Sequence, residues 1–223
     1  MSVIEPVRKD VQHPEQIKKN SASLRFWHWA SALVISGSLL TVLLNATLLK
    51  SNNDSPVIKS ALQNAGAVVT DKQVNAAAHD LSDKVWDIHV YFGYGLAALL
   101  LFRIILEFFQ LADQKFIRKL KSAWYQYQQT KKHRELALHE LTVKTIYLAF
   151  YLLLTIMVIT GLFLAFEDFF APYKAIRSSV KSVHNFCMYL ILAFIVVHLA
   201  GVFLAERKDS KGIVSDMING GRA

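Results

Sequence analysis

The chain has a single cysteine, Cys187, among 223 residues. No disulfide can form within it, and no paired-cysteine motif for a metal or a covalently attached cofactor exists. Cys187 is expected to be a small apolar packing residue. Acidic residues are equally scarce where the chain is most apolar, Glu107 being the only one inside its four long hydrophobic runs. The strict alternation of a barrel strand is absent, and neither a tandem repeat nor a second soluble domain is visible. No small-x-small cleavage site follows the first hydrophobic run promptly, and a long polar stretch precedes it. That run is therefore expected to be a retained helix rather than a leader.

What the chain does have is hydrophobic length: 53% of its residues are hydrophobic and the mean hydropathy is +0.30. Four runs, 26–49, 88–109, 146–166 and 183–205, each reach the roughly 20 residues that ~30 Å of hydrocarbon demands of a helix. Backbone groups in lipid must be satisfied within their own segment, so the runs predict helices and an all-α integral membrane protein with a four-helix bundle over 24–223. Residues 1–23 are polar and aperiodic and predict a mobile cytoplasmic arm, with His13 solvated.

The net charge of +8 is mostly a topology signal. Seventeen Lys/Arg fall before the first run, between the second and third, and after the fourth; the other two loops hold seven. Lys and Arg near span ends stay inside, which predicts both termini in the cytoplasm of an inner-membrane, multi-pass protein. Nucleic acid is not an expected partner, since no recognisable binding motif accompanies the basic residues.

The connecting segments follow from this topology. Residues 50–87 form a polar periplasmic loop, whose second half is expected to become a surface helix leading into the second span with Trp86 at the interface. His79 there is expected to be solvated. Residues 110–145 predict a basic connector lying partly on the membrane, anchored by Trp124, Tyr125 and Tyr127, with His133 and His139 solvated. The tail carries a short amphipathic piece, Ile213 to Ile218. In the third span Thr160-Gly161 is the point where a helix or cofactor can approach closely.

Histidines are the chemistry-bearing residues of the spans. His184 and His198 lie fourteen residues apart on the fourth run, close to four helical turns, so both leave one face about 21 Å apart. The second and fourth runs begin in the periplasm, which puts His89 and His184 at the same outer depth. His28, in the interfacial sequence Arg25-Phe-Trp-His28-Trp, lies with His198 toward the cytoplasm. Two pairs result, one per leaflet. Opposed imidazoles on neighbouring helices close both axial positions of a haem iron, an arrangement suited to electron transfer.

Gly93 and Gly201 lie near the ligand faces, where a missing side chain admits a flat macrocycle; ordinary helix packing explains them equally. Arg103, deep in the second run, pairs with Glu107 or faces an anionic cofactor group, and Arg25 can reach a haem propionate at the inner surface.

Arg25-Phe-Trp-His28-Trp, His89-Val-Tyr-Phe-Gly93 with Arg103, Thr160-Gly161, His184 with His198, and Gly212-Ile-Val-Ser-Asp-Met-Ile-Asn-Gly220 resemble, in order and spacing, the bacterial cytochrome b561 and nickel-iron hydrogenase cytochrome b subunit family. The resemblance implies a four-helix bundle with two non-covalent, bis-histidine b haems, His89 and His184 holding the outer iron and His28 and His198 the inner. It also implies electron exchange between membrane quinone and a redox partner. The long segments 50–87 and 110–145 favour a periplasmic dehydrogenase-like or hydrogenase-like partner subunit; a stand-alone oxidase of superoxide or another small reductant is the alternative, and a homo-oligomer is open. From other classes, a histidine-based metal transporter is disfavoured by the shortage of acidic residues in the spans, and a passive anchor by four histidines at paired depths.

Overall fold

The computed structural model describes residues 20–49, 51–109, 115–129, 134–207 and 212–220. Most of the expected arm, His13, His133 and the side chain of His139 lie outside the described residues. Among those described, every regular element is helical: α1 (Ala22–Thr47), α2 (Ser51–Asn64), α3 (Asp71–Phe109), α4 (Phe116–Gln129), α5 (Arg134–Ala165), a 3₁₀ turn (Ala171–Ile176), α6 (Arg177–Arg207) and α7 (Ile213–Asn219). Four of these stretches, Ala22–Thr47, Asp71–Phe109, Leu141–Ala165 and Ala171–Arg207, are long and apolar enough to cross a membrane. Their large apolar side chains point outward, Leu33 at 73% and Phe186 at 63% exposure among them, as a lipid-facing surface requires.

The chain packs as two compact units, Ala30–Ile191 and Met1–Trp29 with Leu192–Ala223. In the larger unit, Leu154 of α5 is fully buried, and Cys187 and Ile191 of α6 are nearly so. Lipid is as apolar as leucine, so such packing stabilises through close dispersion contact rather than through removal from water. Gly37 of α1 shows how tight this becomes: the Phe92 ring lies where a Cβ would stand.

Helix α2 occupies a stretch expected to be loop. Asn-Asp-Ser-Pro reads locally as a turn, yet the helix runs through Pro56 because its apolar side finds a partner in α3. Val74 and Ala78 of α3 are buried at 2% and 3% exposure, and Ser55–Asn75 (2.5 Å) and Lys59–Asp71 (2.6 Å) link the two helices. Gly66, at φ +85°, ends α2 in a Schellman turn, with Gly66 N donating to Gln63 O and Ala67 N to Leu62 O at 2.9 Å each. Thr70 and Gln73 then form a reciprocal capping box that starts α3. The expected surface helix is thus the first part of α3, and His79 on it is exposed.

At the other end of α3, Arg103 is buried at 7% exposure. It pairs with Glu107 at 3.3 Å and donates through Nε to the Tyr151 hydroxyl of α5 at 3.1 Å. Glu107 in turn accepts the amide protons of Phe116 and Ile117, both at 3.1 Å, and so caps the N-terminus of α4. Trp124 and Tyr125 of α4 are exposed at 56% and 63%, as interfacial anchors would be, whereas Tyr127 binds Arg134 instead.

The smaller unit joins the start of α1, the second half of α6 and α7. Helix α7 is held at both ends. The Glu206 carboxylate accepts from Gly212 N at 2.8 Å and Val214 N at 3.4 Å. At the C-terminal end, Asn20 N donates to Gly220 O at 2.9 Å, Trp29 Nε1 to Met217 O at 3.2 Å, and Arg25 Nη1 to Ile218 O. Trp27, expected at the headgroup level, is instead buried at 6% exposure.

Candidate functional site

Each unit contains one histidine pair. In the larger, His89 of α3 faces His184 of α6 with ring centroids 6.4 Å apart. In the smaller, His28 of α1 faces His198 of α6 at 6.3 Å. All four rings are part-buried. The sequence left His28 close to the start of its span and His198 well inside its own. Helix α1 begins at Ala22, where the Ser21 hydroxyl caps it at 3.3 Å, and the two rings meet.

These separations can be compared with a shared metal. An imidazole nitrogen sits ~2.0 Å from a metal it ligates, so two rings on opposite sides of one ion have centroids about 6.3 Å apart, and two rings at a tetrahedral angle about 5 Å. Both pairs fit the linear arrangement. Among the described residues no group of three or more His, Cys, Asp or Glu could hold a metal. A metal between either pair would therefore take its remaining ligands from something other than protein side chains, and the four nitrogens of a porphyrin fit that requirement.

The outer pair is further organised through Nδ1. His89 Nδ1 lies 3.0 Å from Thr41 Oγ1, 3.3 Å from Ser38 Oγ and 3.4 Å from Ser38 O. His184 Nδ1 lies 2.9 Å from Thr160 Oγ1. On both rings this leaves Nε2 as the nitrogen for a metal. A cleft lined by Ile35, Leu39, Val42, Leu96, Met157 and Met188 opens at the two histidines, an apolar setting of the kind a flat hydrophobic cofactor occupies. A Cβ at Gly161 would stand 3.3 Å from His184 Cε1. The close approach expected of Thr160-Gly161 is thus an approach to this imidazole.

In the smaller unit, His28 meets Trp29 edge-on at 5.2 Å, and His198 stacks on Phe194 at 5.8 Å with planes 6° apart. The Nδ1 of His28 is buried with no hydrogen-bond partner. Arg25 spends one amino group on the tail carbonyl of Ile218, while its Nε is buried and unpaired. Arg103 carries the Glu107 pair, the first of the two roles its sequence position allowed. A Cβ at Gly93 or Gly201 would meet nothing within 4 Å, so neither glycine is required by contact with another helix. Ser38 and Thr41 are site residues that the sequence did not single out.

Four helices able to cross a membrane, three of which carry the two imidazole pairs, have the architecture and donor set of a membrane cytochrome of the b type. Residues 20–220 match the family described as prokaryotic cytochrome b561, and the chain belongs to that family. Neither a curated protein nor a solved structure matches it. Membership makes the chain a multi-pass membrane electron-transfer protein that carries haem b.

Proposed function

We propose that the protein is a dihaem cytochrome that passes electrons across the inner membrane between quinone and a redox partner in the periplasm, with both termini cytoplasmic. His89 and His184 would hold the outer haem, and His28 and His198 the inner. The observation that carries this reading is the pair of centroid separations, 6.4 and 6.3 Å, each matching two imidazoles on opposite sides of one iron. Held by a histidine on each side, such a haem would supply one-electron transfer rather than oxygen binding.

The chain's own residues hold and insulate the two sites. Apolar side chains around His89 and His184 exclude water, and Gly93 and Gly201 leave their helix faces clear for a flat group. Arg25 is the cation set against the inner haem carboxylates, with one amino group shared with the tail carbonyl of Ile218, while Arg103 is held by Glu107 and Tyr151. The α2–α3 pair, outside the expected spans and on the side of His89, offers a folded surface to a periplasmic partner subunit.

An absorption spectrum of the detergent-purified protein before and after dithionite tests the proposal. Low-spin b-type bands with two haems per chain are expected. A single haem per chain, or a colourless protein carrying zinc, overturns it.

A further inference from the structure

The two threonine hydroxyls beside the outer histidines are each bonded to their own helix. A threonine hydroxyl has one proton and two lone pairs. Thr41 donates its proton to Ser38 O at 2.6 Å, and Thr160 donates to Ile156 O at 2.7 Å. Each is a hydroxyl bonded back to its own helix, the usual way a buried threonine is satisfied in an apolar span. With the proton committed, only lone pairs are left to face the imidazoles. His184 Nδ1, at 2.9 Å from Thr160, and His89 Nδ1, at 3.0 Å from Thr41, then act as donors, with the Ser38 hydroxyl at 3.3 Å from His89 Nδ1 turning a lone pair to it as well. The Ser38 carbonyl, 3.4 Å from the same His89 nitrogen, can only accept and imposes the same tautomer.

A protonated Nδ1 places the free lone pair of each ring on Nε2. Donation of the Nδ1 proton to an acceptor also makes the imidazole a more basic ligand. A more basic ligand favours the oxidised, more positive metal. Two helices converge on this arrangement: α1 supplies Thr41 and α5 supplies Thr160, with Gly161 beside it, where an added Cβ would stand 3.3 Å from His184 Cε1, letting the ring come near enough to bond. His28 is different, since its Nδ1 is buried without any partner.

We infer that Thr41 and Thr160 are positioning residues that fix His89 and His184 as Nδ1–H tautomers, turn both Nε2 lone pairs toward one shared iron, and lower the reduction potential of that haem. The inference rests on the dihaem reading above. It adds that one of the two haems is tuned from outside its ligands, by a hydroxyl on each side.

Redox titration of the purified protein, followed at the b-type absorption band, tests it. The wild-type chain is expected to resolve two one-electron components, and the component absent from His89→Ala identifies the outer haem. Thr160→Val, which keeps shape and removes the acceptor, is expected to raise the midpoint of that component by about 59 mV, a tenfold change in its reduction equilibrium. Thr41→Val is expected to raise the same component, because both histidines serve one iron, and Thr160→Ser is expected to restore the wild-type value. Midpoints that do not move, or valine variants that move different components, overturn the inference while leaving two haems in place. A wild-type protein without two b-type components would instead defeat the dihaem reading itself. If Thr160→Val does not accumulate, Thr41→Val and Thr160→Ser decide the matter.

Discussion

Glu107 stands 3.3 Å from Arg103 and at the same time caps the first amides of the next helix, so one carboxylate ties a buried guanidinium to the connector that follows. Both side chains are well shielded, at 8% and 20% exposure. Removing one partner of such a pair strands the other charge, at a cost of about 3 kcal/mol. Glu107→Ala is expected to lower the thermal unfolding midpoint of the purified protein markedly, and Glu107→Gln, which keeps one acceptor oxygen for the two amides, to lower it less. Equal stability of Glu107→Ala and wild type would show that the ion pair and cap contribute nothing.

The histidine pairs predict a pattern of non-additivity. His89→Ala and His184→Ala are each expected to remove one haem, and the double variant to remove no more than either alone, because both ligands serve one metal. His28→Ala and His198→Ala should behave likewise for the other haem. The check is the haem content of each purified variant; a double variant that loses both haems from within one pair would refute the pairing.

Gly161 gives a steric test of the same site. An alanine there would place its Cβ 3.3 Å from His184 Cε1, tight enough that the ring must shift by a few tenths of an ångström. A strain of about 1 kcal/mol is expected, so Gly161→Ala should retain the outer haem with several-fold weaker affinity, and Gly161→Leu should lose it. Haem retained per chain after gel filtration measures both.

The tail helix is held by main-chain carbonyls rather than by apolar burial, since the groups that grip its C-terminal end are Asn20 N, Arg25 and Trp29. Arg25→Ala removes a charged donor and is expected to cost about 1–2 kcal/mol of docking. Limited proteolysis should then cleave around Ile213–Asn219 several-fold faster than in the wild type. Unchanged cleavage would mean that α7 is secured by other contacts.

The four spans and both histidine pairs were readable because two simple periodicities determine them. Apolar length marks the helices, and a fourteen-residue interval on one helix sets two histidines on one face, each of which the structure brings to a partner ring. The segments that resisted reading depend on partners distant in sequence. Helix α2 looked like a turn because Asn-Asp-Ser-Pro is a local breaker, and only the apolar side of α3 makes a helix there worthwhile. Arg25 was read toward a cofactor, while its bond to Ile218 spans 193 residues and leaves no local trace. Ser38 and Thr41 did leave a trace. With Ser31 and Asn45 they repeat at intervals of seven, three and four along α1, a polar stripe on one face of an apolar helix. It is easily passed over because hydroxyls in membrane helices usually satisfy themselves on their own backbone. That habit is the feature that turns them into acceptors for His89.

Helix α3 runs unbroken for 39 residues, from Asp71 through His89 to Phe109. About 25 Å of it precedes the expected membrane boundary at Ile88. A stiff rod that projects beyond its apolar span acts as a lever. On the proposed reading, a partner subunit that tilts its outer end by a few degrees would swing the His89 imidazole with it, so mechanical load at a distant surface would reach a proposed haem ligand without any hinge to absorb it.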